Sequence, residues 1–341
     1  MKKKIALVLV ALLLLVPGIV GCARDSDGGG SDLRLTVYAG AMEDHMLATL
    51  ALFTEQTGIP VYGVRMSAGE ILGRIRAERA NPQASIWWGG PVDAFIQAAY
   101  EGLFMEYVSP YAVNIPEGFR CRNNYWTGVY YSFLGFASNQ RLLEERGAEA
   151  PTSWFDLLRP EFRGQVSVGD PGATGTAYTF LATILQIMGE EEGLEFMAQL
   201  DENVRTYEMS GSAPARIVGQ GEATVSIVFL NDALTFREEG FSDLVLSSPV
   251  EGTGIQLSAV AIIDGAPDLE AAKIFYDWAL GVDSQEVGRS LVHTMPTTVL
   301  ADASIENDAT RGVIAIDYDF VWAGENRDRL VAAWQRAVGR D

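Results

Sequence analysis

Two cysteines and two histidines among 341 residues leave this chain almost without thiols and imidazoles, and that scarcity removes several kinds of chemistry at once. Cys22 lies in the extreme N-terminal segment, so Cys121 has no partner in the remainder and no intramolecular disulfide can staple the fold. His45 and His293 stand in neither an HExxH nor a Cys-His zinc spacing, and there is no GxSxG elbow. No nucleophile with its base and no metal constellation is in view, which points away from an enzyme and from a metal cofactor. Basic residues are scarce too: 25 Lys and Arg against 45 Asp and Glu give a net charge of −20. Nucleic acid and anionic lipid surfaces are poor partners for such a chain. A small anion is not excluded, because local groups in a cleft decide its affinity.

What is present begins with a targeting pattern. Lys2, Lys3 and Lys4 precede an apolar stretch over residues 5–16, and Ile19-Val20-Gly21-Cys22 ends it with small residues before a cysteine. Spanning a bilayer takes roughly 20 apolar residues, so this run reads as a signal peptide, residues 1–21, rather than a membrane helix. Cys22 is then the lipidation site, and residues 22–32, rich in Gly, Ser and Asp, are a flexible tether. No second apolar stretch reaches spanning length, so the body is expected to be soluble, extracytoplasmic and held to the membrane through lipid alone.

About 310 residues remain, enough for two domains each with its own core. Short β-branched or aromatic runs alternate with amphipathic stretches, the pattern of α/β layers with a mainly parallel sheet. Strands are expected near residues 35–38, 61–66 and 86–88, each followed by a helix, with Pro91 in the first turn of the third helix. The rhythm breaks over residues 108–136, which are rich in Pro, Asn and aromatics, and resumes with strands near 165–168 and 224–229 and helices from Ala177 and Ala233. A long strand over 255–263, a helix over 269–280 and a last helix over 327–338 complete the reading. The expected organisation is one lobe from residues 33–127 and 251–297 and another from residues 128–250 and 298–341.

Open α/β sheets bind ligands where strands hand over to helices, so those junctions hold the candidate residues. Ser67 opens a helix with capping-box spacing to Glu70, and its hydroxyl and the neighbouring amides suit either a cap or an anion. Asp170-Pro171-Gly172-Ala173-Thr174-Gly175-Thr176 puts two glycines and two threonines at a second junction, a glycine-rich cap or a bed of bare amides. It lacks the lysine of a P-loop, which disfavours nucleotides. Trp87-Trp88-Gly89-Gly90 ends a strand, and adjacent side chains there point to opposite faces, so one indole is core and Trp88 is a candidate to face the cleft beside Gly89 and Gly90. Asn231 and Asp232 follow another strand, with Asp232 placed as an N-cap or a ligand acceptor. Glu251 falls at a crossing between the lobes, where a carboxylate would face the cleft.

The segment beginning Pro151-Thr152-Ser153-Trp154-Phe155-Asp156-Leu157-Leu158 and running on as RPEFRGQVSVGDPGATGTAY resembles periplasmic solute-binding proteins of ABC importers, in the group built like the ferric-ion-binding proteins. The likeness extends from LTVYAGAMEDHM to DFVWAGENRDRLVAAW. It implies a two-lobed fold with a hinged cleft (the type II arrangement), a permease partner and a monomer. Iron binders of the group carry adjacent tyrosines where this chain has Phe229-Leu230-Asn231-Asp232, and His and Glu where it has Ala41-Met42 and Gly89-Gly90; hard Fe(III) wants anionic oxygen donors that these residues do not supply. The WWGG, SAGE and FLNDA segments resemble the branch that binds sugar phosphates and related organophosphates. That resemblance implies that Ser67, Thr174, Gly175 and Thr176 hold a phosphate while Asn231, Asp232 and Glu251 take sugar hydroxyls. An ammonium ligand caged by Asp232, Glu251 and a Trp, Fe(III), and a ligand-sensing subunit without an importer are the alternatives.

Overall fold

The computed structural model describes residues 33–302 and 307–340; the expected signal peptide, Cys22 and the expected tether lie outside them. In chain order the elements are β1 (Leu35–Ala39), α1 (Glu43–Thr57), β2 (Val61–Arg65), α2 (Ala68–Ala77), β3 (Ile86–Pro91) and α3 (Val92–Tyr100). Then come β4 (Thr127–Asn139), α4 (Gln140–Arg146), β5 (Val166–Gly169), α5 (Gly175–Met188), α6 (Glu190–Asp201), β6 (Val204–Glu208), α7 (Ala213–Gly219), β7 (Val225–Phe229), α8 (Leu230–Glu238) and β8 (Leu244–Ser247). The chain finishes with β9 (Ile255–Ile262), α9 (Leu269–Ala279), α10 (Val282–Val292), β10 (Met295–Pro296), α11 (Phe320–Glu325) and α12 (Arg327–Ala337).

The strands join in the order β2-β1-β3-β9-β4-β7-β5-β6, with β8 and β10 also on β4. Parallel pairing holds within β1–β3 and within β5–β7, as the alternating strand and helix pattern implies. Between those groups the sheet is antiparallel. β9 lies between β3 and β4 and runs against both.

The stretch in which the rhythm breaks ends in the thirteen-residue β4, which belongs to both groups. Residues from Thr127 to Phe133 pair with β9, and from Leu134 to Ser138 with β7. The change of partner falls inside one strand, at Phe133–Leu134, a few residues beyond the boundary expected from composition. Pro, Asn and aromatics over residues 108–126 form irregular chain and short 3-10 turns, which hide the strand that follows.

The cores follow the same division. Trp154 packs between Phe136 and Phe180, at ring separations of 5.0 and 5.3 Å, under β5 and β7. Two further clusters cover the opposite faces of β1, β3 and β9, so that sheet is buried on both sides, as parallel α/β sheets require. Trp87 enters one of these clusters, 4.2 Å from Phe95, and Trp88 enters the other. Among the described residues, no helix is long and apolar enough to cross a membrane.

Candidate functional site

The C-terminal ends of the strands from both groups converge on one cavity of ≈ 50 Å³, several times the ~10–15 Å³ that one water needs. Its wall collects Gly40 and Ala41 after β1, Arg65 at the end of β2 and Ser67 beyond it, Pro91 at the end of β3, Thr174, Gly175 and Thr176 at the start of α5, Gly211 and Ser212 before α7, and Asn231 and Asp232 at the start of α8. His45, Tyr130, Gln256 and Thr294 line it too.

The two sides touch across this cavity. Ser67 Oγ donates to the Met209 carbonyl at 2.8 Å, Arg65 Nη2 to Ser210 Oγ at 3.3 Å, and the Gly69 amide to the Ala173 carbonyl at 3.3 Å. Glycine at 175 is what permits that approach, since a Cβ there would lie 2.6 Å from Pro91 Cδ.

One end of the cavity is a donor end. Thr174 caps α5, its hydroxyl accepting from the Ala177 amide at 3.2 Å while donating to the Asp170 carbonyl at 3.1 Å. That leaves the first amides of the helix, at Gly175 and Thr176, without helical acceptors, facing the cavity with the positive end of the helix dipole behind them. Arg65 is the one Lys or Arg side chain among the described lining residues, and its charge reaches Asp232 as well.

The other end is an acceptor end. Asn231 Nδ2 donates to Asp232 Oδ1 at 3.0 Å and to the Val292 carbonyl at 3.1 Å, and Asn231 Oδ1 is buried with no partner among the described residues. Thr294 Oγ1 is buried and unpartnered in the same way. Burial pushes the Asp232 carboxyl up to about 7, against the opposing charge of Arg65 and the bond from Asn231. His45, buried between Trp88 and Tyr130, is pushed down to about 3 by desolvation, so the cavity sees a neutral imidazole.

Six of the ten residues expected at the ligand are therefore brought together: Ser67, Thr174, Gly175, Thr176, Asn231 and Asp232. Four are not. Trp88 is 1% exposed and lies in the core, because the β1–β3–β9 sheet carries helices on both faces and leaves no indole position open to the cleft. Gly89 and Gly90, at φ 75° and 90°, bend the chain behind the wall; a Cβ on Gly89 would come within 2.9 Å of the Tyr130 hydroxyl, so they support Tyr130 and do not line the cavity. Glu251 turns the other way. It accepts from Ser153 Oγ and from the Trp154 amide at 3.4 Å, capping a 3-10 turn beside a shallow acidic depression with Asp317 and Asp319. Gln256, further along the same segment on β9, reaches the cavity instead. A smaller correction concerns Asp232: α8 begins at Leu230, so Asp232 sits in its first turn and Phe229 holds the N-cap position.

The residues not anticipated are His45, Arg65, Tyr130, Gln256, Thr294 and the Gly211–Ser212 turn. Arg65 is legible in retrospect, as the last residue of the strand that leads to Ser67.

Residues 92–321 match the family model described as bacterial extracellular solute-binding protein. The chain belongs to that family. This solute-binding protein is 36% identical over 314 residues to an uncharacterised protein of Haemophilus influenzae, covering 89% of this chain and 90% of that one. It is 30% identical to a putative 2-aminoethylphosphonate-binding periplasmic protein of Salmonella typhimurium, over 72% of this chain and 71% of the relative. Among solved structures, the periplasmic binding protein AfuA of Actinobacillus pleuropneumoniae, with fructose-6-phosphate bound, superposes with a TM-score of 0.86 at 34% identity, covering 91% of this chain and all of AfuA. Iron-bound HitA of Pseudomonas aeruginosa shares the fold at 18% identity with a TM-score of 0.77, over 89% and 99% of the two chains. The fold of the solute-binding protein is thus the two-lobed one of periplasmic binding proteins.

Proposed function

We propose that this protein is the extracytoplasmic binding component of an ABC importer, anchored through lipidated Cys22, and that it captures a small organophosphate such as a sugar phosphate. The observation that carries this reading is the polarity of the cavity. Arg65 and the free amides of Gly175 and Thr176 favour an anion at one end, and the unpartnered Asn231 Oδ1 with Asp232 favours hydrogen-bond donors at the other. A phosphoryl group with hydroxyls on its far side satisfies both. Among the described lining residues, one carboxylate, a neutral imidazole and the Tyr130 phenol, which burial holds protonated, are a poor donor set for Fe(III), and sequence kinship to a fructose-6-phosphate-bound structure points the same way.

The lobes open to admit the solute and close on it, and the closed form docks on a permease as a monomer. No chemical step is assigned to the site, because its polar groups are arranged for recognition. Titration calorimetry of the mature protein against hexose phosphates, glycerol phosphates and 2-aminoethylphosphonate tests the substrate class. Micromolar binding, about −8 kcal/mol, to at least one is expected; heat with none of them defeats the organophosphate reading.

A second ligand has a specific observation in its favour. Asp232 is a buried carboxyl at the acceptor end, and an ammonium group would use it as well as a hydroxyl would. Relatives carry the description putative 2-aminoethylphosphonate-binding. Asp232→Asn separates the two: a cationic ligand loses far more affinity than a neutral polyol, whose hydroxyls still bond to the amide.

A further inference from the structure

A second polar cluster lies just beyond the cavity wall and takes no part in it. Asp93 is two residues past Pro91 on α3, and Thr179 is three residues past Thr176 on α5. Asp93 is 2% exposed, yet its carboxyl accepts from Thr179 Oγ1 at 3.2 Å and from the Tyr318 hydroxyl at 3.3 Å. Arg327, the first residue of α12 and 3% exposed, supplies the opposite charge. Its guanidinium lies 4.1 Å over the Tyr178 ring and donates to the Pro171 carbonyl at 3.4 Å, while Nη1 is buried with no partner among the described residues.

A buried charge cluster is a weak way to hold two helices together, since apolar residues of similar volume are often as stabilising or more so. It does have one property apolar packing lacks: its bonds are directional and form at a single spacing. Asp93 sits on a helix of the β1–β3 group, and Thr179 on a helix of the β5–β7 group, so these bonds exist only when the two sides of the cavity are together. There is little slack in that arrangement, as Pro91 packs directly against Gly175.

We propose that Asp93 is a positioning residue for ligand capture, holding the N-terminal turns of α3 and α5, through Thr179 and Tyr318, at the spacing that encloses the cavity. It does not touch the solute. Arg327 keeps the carboxylate ionised enough to accept both bonds and ties the same cluster to Pro171, in the loop that leads to Thr174 and Gly175. The inference rests on the reading of the cavity as the ligand site, but its first test needs no ligand.

That test is small-angle scattering of the mature, ligand-free protein together with titration of fructose-6-phosphate and 2-aminoethylphosphonate. Thr179→Val and Asp93→Asn are expected to enlarge the radius of gyration and to weaken binding of whichever compound the unmodified protein takes by about tenfold. Thr179→Ser, which keeps the hydroxyl, restores both. A purely structural role predicts something different: lowered thermal midpoints with unchanged scattering, or Ser and Val behaving alike, and either result overturns the proposal. If Thr179→Val does not fold, Tyr318→Phe removes the other donor with the loss of a single oxygen and is read by the same criteria. Should neither compound bind the unmodified protein, the substrate reading fails while the scattering of the variants still decides the role of Asp93.

Discussion

The two ends of the cavity are made from opposite kinds of polar atom, and they differ in how much of their side-chain chemistry is already in use. At the α5 end the hydroxyls of Ser67 and Thr174 are bonded within the protein. Recognition there falls to main-chain amides, to Arg65 and to the Thr176 hydroxyl. At the α8 end the side chains themselves are left waiting: Asn231 Oδ1 and Thr294 Oγ1 are buried without partners among the described residues, and Asp232 is a buried carboxyl. An unsatisfied buried polar group costs about 1–3 kcal/mol, so a solute that bonds to Asn231 Oδ1 or Thr294 Oγ1 gains more from those atoms than from hydroxyls already bonded within the protein. The contrast implies that the amide end is set by backbone geometry and general for anions, whereas the acceptor end distinguishes one solute from another.

The strongest way to break this contrast is to remove the single cation. Arg65→Met is expected to weaken binding of any phosphorylated solute by roughly 10–100-fold, since a charge-assisted hydrogen bond contributes about 1.5–3 kcal/mol. Calorimetry of the variant measures it. Arg65→Lys should recover part of the loss but not all, because the guanidinium also donates to the Ala41 carbonyl at 3.3 Å and to Ser210. Affinity unchanged in Arg65→Met would mean that the amides suffice and that the donor end has been misjudged.

The next largest effect sharpens the other side of the comparison. The Asp232 carboxyl, ordinarily near 3.9, is pushed up to about 7 in the folded protein by burial. A raised carboxyl favours the folded state fully below the unfolded value, and that contribution is lost as pH rises through about 7. The thermal midpoint of the wild type should therefore fall between about pH 4 and pH 7, by about 2–4 °C for each kcal/mol lost, and Asp232→Asn should remove part of that slope, the rest coming from the buried Asp93, whose carboxyl burial also raises. Ligand titrations over the same window carry a sign. An ionised Asp232 adds a negative charge to the cavity that holds the phosphoryl group, so affinity for a sugar phosphate drops as pH rises, whereas affinity for a ligand bearing an ammonium group at this end increases. A flat profile in the wild type would show that Asp232 does not change its protonation there.

Much of the donor end was legible because its signals are local. A β-branched run followed by Ser67-Ala68-Gly69-Glu70, or by the Gly and Thr residues of 170–176, announces a strand, a cap and a helix in a few consecutive positions, and such junctions open on the cleft in any α/β sheet. Asn231 and Asp232 were found by the same rule. What the rule missed comes from distant chain. Gln256 faces the cavity because β9 pairs Ser132 with Gln256 in an antiparallel register that periodicity does not specify. His45 sits in the first turn of α1, where no cap or glycine signal marks it, and Thr294 reaches the wall only through the turn that follows α10. Glu251 misled because a carboxylate at a crossing is equally well placed to cap a turn, and Ser153 with Trp154 supplied one to cap. The parallel βα units of both lobes were visible in the alternation of runs; the long shared β4, hidden behind irregular chain, was not.

The smallest expected effect concerns Trp88, because alternation along the strand implies one indole at the cleft and the structure buries both. Two adjacent indoles do point to opposite faces, but a sheet covered by helices on both sides has no open face to offer. Trp88 packs edge-on against His45 at 5.0 Å and against Tyr130 at 6.0 Å, and its Nε1 is buried with no partner among the described residues. Trp88→Phe makes two opposing changes, leaving space in the core and removing a donor that has no acceptor. The net shift in thermal midpoint should be small, about 2–4 °C if the two differ by about 1 kcal/mol. Affinity for the solute should stay within about twofold, because no atom of the indole reaches the cavity. A tenfold loss without a matching fall in stability would show that Trp88 acts on the ligand through His45 and Tyr130, which do line the wall, and would return an aromatic contribution to the acceptor end.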